Sequence, residues 1–194
     1  VTVPDYMTDI VATLSHLARE SAHINQRSGV SVRLTVSNHE VMVANAIRRA
    51  LRHGERDVAP RVSDLDALAA STMGKVEIET LDEGRDEQIA EHLLRSATLS
   101  VFKSEVDPGN LRDIVVAFDE GTVVHTGEDV TSTDLAHLVE DVPALRQTVA
   151  RLAGRDESPA VVASAVELVL EGLHLSKRLN KDAIDGRATY RSRS

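Results

Sequence analysis

"SGVSVRLTVSNHEVMVANAIRRALRHG", Ser28 to Gly54, decides how this chain is read. Val36, Glu40, Val43, Ile47 and Ala50 recur at helical spacing and share one mostly apolar face, while Arg48, Arg49 and Arg52 lie elsewhere around the same helix. Gly29 supplies a turn before the run and Gly54 a stop after it. Two starts fit. Ser37 with Glu40 has capping-box spacing, and Ser31 is equally placed to cap an earlier start that takes in Arg33. Arg33, between Val32 and Leu34, also has two readings. It is either a surface arginine whose methylenes cover apolar neighbours, or a guanidinium held at a helix start, where free N–H groups and the macrodipole favour an anion. Spacing alone leaves both open.

Working outward, the 194 residues are 42% hydrophobic and 27% charged, enough apolar surface for a packed core in one domain or two small ones. Aromatics are only 2%, so a helical core of alanine, valine and leucine is expected. A formal net charge of −9 argues against a generic nucleic-acid binder, which needs a basic footprint. The absence of cysteine excludes disulfides and thiolate chemistry and suits a reducing, cytoplasmic setting. No stretch approaches the roughly 18 apolar residues of a membrane span. The opening "VTVPDYMTDI" has neither an initiator Met nor a signal pattern, and the expectation is a segment of a longer chain.

Helical spacing also appears in residues 5–24 through Ile10, Leu14 and Leu17. In "RVSDLDALAAS" Ser63 and Asp66 have N-cap and N3 spacing, "MGKVEIET" reads as an extended link, and "EQIAEHLLRSATLSVF" reads as another helix. Pro108-Gly109 in "SEVDPGNL" marks a boundary. After it, "DIVVAF" and "TVVHTG", separated by "DEG", read as two strands of a β-hairpin. Thr131 with Asp134 caps a further helix, "VPALRQTVARLAG" ends on Gly154, and Ser158-Pro159 opens "AVVASAVELVLEGLHL", apolar on nearly every side and expected to be buried. The fold class expected is therefore mainly α. A helical bundle over residues 1–105 precedes a small α+β module with a β-hairpin over 106–176 and a basic flexible tail over 177–194.

Enzyme signatures are missing: no GxxxxGK[ST], GxGxxG, GxSxG or HExxH pattern occurs. His39-Glu40 has no second histidine one turn on, and His16 and His23 have no evident third ligand, so ordinary surface and core roles outweigh a metal site. Glu77 and Glu79 fit a solvated strand face better than paired acid/base catalysis.

The segment "SGVSVRLTVSNHEVMVANAIRRALRHGERDVAPRVSDLDAL" resembles the helical lid of MoxR- and magnesium-chelatase-type AAA+ ATPases, in particular chelatase-like proteins of actinobacterial type. That lid opens a long alanine-rich helix with "GxSxR", matched by Gly29, Ser31 and Arg33. A "GR-x-x-V-x-P-x-D" type segment follows in the family, and "GERDVAPRVSDL" matches it with a slightly longer spacer. The likeness spans about residues 6–80 and includes "GKVEIE", with "ESPA" further on. It implies that Arg33 is the sensor 2 arginine, reaching the γ-phosphate of ATP with Gly29 and Ser31 shaping its turn. ATP and Mg²⁺ would be held by an α/β core outside these residues, and the fragment alone would bind neither. The implied partners are that core, neighbouring ring subunits and a protein with a von Willebrand factor A domain, with no nucleic acid and no membrane. No residue specifies a porphyrin substrate. Two other readings stand beside this one: a helical protein-interaction adaptor with no nucleotide role, and a DNA-binding regulator using Arg48, Arg49 and Arg52.

Overall fold

Thirteen buried residues between Ala160 and Leu173 make α8 (Pro159–Leu175) the axis of the molecule. Pro159 starts it at the position where a missing N–H is harmless, and Val162 alone in that span is part-exposed. A helix apolar on nearly every side must be covered on nearly every side. α4 (Arg85–Glu105), α6 (Ser132–Asp141) and α7 (Arg146–Ala153) pack around it, as expected from its sequence. At one contact Phe102 lies against Gly172 so closely that no Cβ fits there.

The computed structural model describes residues 1–25, 30–76, 85–184 and 186–193. It is mainly helical, with a small three-stranded antiparallel sheet. α1 (Asp5–Glu20) buries Ile10 and Leu14 against α4 and α2 (Val32–His53), and α3 (Ala67–Met73) bridges α2 and α4. One hydrophobic cluster runs from Tyr6 through Phe102 and Phe118 to Tyr190, continuous across the Pro108-Gly109 punctuation. Pro108–Leu111 is a 3-10 turn whose Asp107 carboxylate accepts from the Gly109 N–H at 2.9 Å. Among the described residues no helix is long and apolar enough to cross a membrane.

Three sequence expectations need correction. "DIVVAF" is not a strand: it lies in α5 (Arg112–Asp119), where Ile114 and Phe118, four residues apart, face the core. A short apolar run fits either period, and here the anchoring of Leu111 in the preceding turn winds it as a helix. The hairpin lies instead in the segment expected to be a flexible tail. β2 (Leu179–Ile184) and β3 (Arg187–Ser192) pair antiparallel, and β3 also pairs with β1 (Val124–Gly127), giving the order β1-β3-β2. Leu179, Ala188 and Tyr190 are buried, so few but well-placed apolar side chains hold it. Gly127, at φ 125°, lets the Gly186 carbonyl pass where a Cβ would collide. Third, Ser63 is not an N-cap: its N–H and hydroxyl both donate to Glu167. Of the link "MGKVEIET", Met73 ends α3 and residues 77–80, Glu77 and Glu79 among them, lie outside the described residues.

Candidate functional site

Ser31 settles the start of α2. Its Oγ accepts from the Arg33 N–H at 3.2 Å, so the helix begins at the earlier of the two sequence candidates and Arg33 sits in its first turn. Gly54, at φ 68°, ends it through the left-handed conformation that glycine adopts without strain. Gly29 lies outside the described residues. Arg33 is exposed, and its guanidinium makes no hydrogen bond or ion pair with any described residue. No acidic residue occupies the first turn. A cation there opposes the helix macrodipole, so the helix itself gains nothing from it.

The two faces of α2 are less cleanly divided than in a simple amphipathic helix. The buried face carries Leu34, Met42, Ala46 and Ala50, but also Asn38 and Arg49. It docks through a ladder of polar contacts: Thr35 Oγ1 donates to Ser15 Oγ at 2.8 Å, Asn38 Nδ2 to Thr72 Oγ1 at 3.0 Å, and Asn45 Nδ2 to the Asp64 carbonyl at 3.2 Å. The outward face starts at Arg33 and continues through Val36, Glu40, Ala44, Ile47 and Leu51, all exposed. Their spacing of three and four residues keeps them in one stripe. The stripe is about 27 Å long at 1.5 Å per residue. Leu51 is 75% exposed and Val36 53%.

The C-terminal half of α2 is locked in place by buried charge. Arg49, 1% exposed, grips Asp64 with both sides of its fork, Nε to Oδ1 at 3.2 Å and Nη2 to Oδ2 at 2.9 Å. Arg61 is fully enclosed and donates to the Val130 carbonyl at 2.9 Å and to Ser132 Oγ at 2.5 Å. Glu55 accepts from the Ser132 N–H and hydroxyl, and lies 3.5 Å from Arg49 and 3.8 Å from Arg61. Glu167, on α8, completes the group 3.9 Å from Arg61. Burial pushes its carboxyl upward, against the opposing pull of Arg61 and the Ser63 amide. At the surface Arg48 and Arg52 clasp Glu128 at 3.0 and 2.6 Å, while His53 Nε2 donates to the Glu128 carbonyl at 2.7 Å.

So of four arginines singled out in the sequence, three are engaged internally and Arg33 is left open. Sequence reasoning missed the buried roles of Arg49, Arg61 and Glu167; Arg61 and Glu167 have partners distant in the chain, while those of Arg49 lie 6 to 15 residues on, across a turn whose course no local pattern gives. The one local signal was a pair of charged residues, Glu167 and Glu171, inside the otherwise apolar α8. Among the described residues no group of histidine and carboxylate side chains is arranged to hold a metal ion. No family model, curated protein or solved structure matches this chain.

Proposed function

We propose that this chain is the lid portion of a ring-forming AAA+ ATPase of the magnesium-chelatase type, and that Arg33 reads the γ-phosphate of bound ATP. The observation that carries the reading is the outward face of α2: an exposed arginine whose guanidinium engages no described residue, at the head of an exposed, largely apolar stripe. An arginine at the positive end of a helix raises the local positive potential, suited to a polyanion and of no benefit to the fold. The apolar residues behind it supply a surface for an ATPase core or a neighbouring subunit to close upon. The "GxSxR" and "GERDVAPRVSDL" elements support the same assignment. The polar ladder and the Arg49–Asp64 fork hold α2 rigidly, so a displacement at Arg33 carries through to Glu128 and the sheet.

Residues 1–194 contain no phosphate-binding loop, so in this reading the loop, the Mg²⁺-binding acid and the porphyrin- or protein-directed partner come from elsewhere. The chain by itself turns over no ATP. In the ATPase polypeptide that carries it, Arg33→Ala lowers turnover by ~10-fold or more, up to the ~10³-fold that phosphate-stabilising arginines supply. Lysine rescues poorly because it lacks the planar fork. Unchanged turnover in Arg33→Ala overturns the sensor assignment. The same stripe would also serve a helical adaptor with no nucleotide role; in that case partner binding depends on Val36, Ile47 and Leu51 and is indifferent to ATP.

A further inference from the structure

The end of α8 is built in an unexpected way. The N–H of Lys177 donates to the His174 carbonyl and that of Arg178 to the Leu173 carbonyl, each at 2.8 Å. This is a Schellman ending, whose left-handed position is normally glycine. Here it is Lys177, at φ 60°, the one described non-glycine residue with positive φ. A side chain kept where glycine is easier points to a use for that side chain.

Lys177 and Arg178 stand on the rim of a groove of about 550 Å³ between the C-terminal half of α4, the Pro108 turn and the α8–β2 corner. Lys103 stands on the opposite wall. All three cations are exposed, and none of their side chains makes an ion pair or hydrogen bond with a described residue. Leu99, Val106 and Leu175 form part of an apolar floor. No carboxylate lines the groove, although the chain as a whole carries −9. The nearby Asp107 side chain is used in its own turn.

We propose that this groove binds an acidic, amphipathic helical segment of a partner protein, with aliphatic side chains on the floor and carboxylates against Lys103, Lys177 and Arg178. Helix-in-groove recognition needs a recessed apolar trough and a charged rim, both present here. A membrane surface fits less well, because it calls for protruding apolar side chains or a cluster of about 4–8 cations. A nucleic acid fits less well because Phe102, the aromatic of the groove, is 2% exposed and offers no stacking face. The inference is independent of the ATPase reading.

The test uses the 194-residue chain and a labelled synthetic helix about four turns long, with leucine at i, i+3, i+4 and i+7 and glutamate on the flanks. Its counterpart has lysine in place of glutamate, and vesicles of phosphatidylcholine with phosphatidylserine form a third arm. The acidic peptide binds and its lysine counterpart does not. Lys177→Gly weakens binding by about threefold to tenfold, as loss of a charge contact implies. The same substitution raises the melting temperature by about 2–4 °C, because glycine relieves the left-handed strain. Lys103→Glu weakens binding without that thermal gain. Equal binding of the two peptides, full binding by Lys177→Gly, or vesicle binding with the same dependence on Lys103 and Lys177 overturns the proposal.

Discussion

Arg33 and Glu167 are both placed against the interest of the fold, in opposite surroundings. Arg33 is a cation at the positive end of α2. Arg33→Glu in the 194-residue chain is therefore expected to keep or raise the melting temperature, by an amount corresponding to about 0.3–1 kcal/mol. A lowered one would mean that the guanidinium supports the fold. Glu167 is a carboxyl whose folded-state affinity for a proton is raised by burial, so its share of stability is complete below the ordinary carboxylate range and is lost as pH rises through its elevated value. Glu167→Gln mimics the protonated form. The stability difference, wild type minus Glu167→Gln, should thus fall as pH rises from about 4 towards neutrality, measured by denaturant unfolding across that range. A difference that does not change with pH would show that Glu167 is equally ionised in both states. The position of Arg33 at a helix start was one of two that the sequence allowed, since Ser31 and the Ser37–Glu40 pair are competing local signals, and the bond from the Arg33 N–H to Ser31 decides it. The burial of Arg49 and Arg61 was not. A guanidinium is buried only when its partners arrive, and Val130 and Ser132, which Arg61 meets, lie 69 and 71 residues away.

At the scale of elements, the Arg49–Asp64 fork fastens α2 to the turn before α3. Both side chains are almost wholly enclosed, 1% and 2% exposed, so removing Asp64 leaves the buried Arg49 with only the longer Glu55 contact as counter-charge. Asp64→Ala should cost about 3–5 kcal/mol, read as a shifted denaturant midpoint. Loss of less than about 1 kcal/mol would mean that water reaches Arg49. Helix identity was clear for α1 from its apolar stripe, for α6 from a stripe with the Thr131 cap that accepts from the Asp134 N–H, and for α8 from the length of its apolar run after Ser158-Pro159, although neither α1 nor α8 has a side-chain cap bond. It failed for α5, where five consecutive apolar residues carry no period, and for β2 and β3, where "LNKDAI" and "RATYRS" hold too few apolar residues to read as strands. The pairing of β3 with β1 brings in a segment about 60 residues away, a constraint that no local pattern encodes. The face read from the sequence of α2 is not one the fold keeps together: Val36, Glu40 and Ile47 are exposed, but Val43 is half-buried and Ala50 buried, because polar contacts with three separate elements set the rotation of the helix.

At the scale of the whole molecule, the sheet is part of the core. Tyr190 is buried and donates to Glu171 at 2.6 Å, and Lys181 reaches the same oxygen at 2.7 Å from the neighbouring strand. Truncation after Ser176 removes Leu179, Ala188 and Tyr190 from the cluster and takes both hydrogen-bond partners from Glu171. Loss of the aromatic alone is expected to cost about 3–5 kcal/mol, so the shortened chain should lose its single cooperative thermal transition. A truncated chain that melts like the full one would return these residues to the status of a tail. The larger claim is that the outward face of α2 closes on a nucleotide-bearing core. The chain has no cysteine, so Val36→Cys offers a unique probe within it. The deciding measurement is the rate of maleimide labelling at that position in the ATPase polypeptide, cleared of any other cysteines, with and without a non-hydrolysable ATP analogue. The account predicts slower labelling with nucleotide, and loss of that protection when Arg33→Ala is added. Labelling at the same rate with and without nucleotide would contradict it.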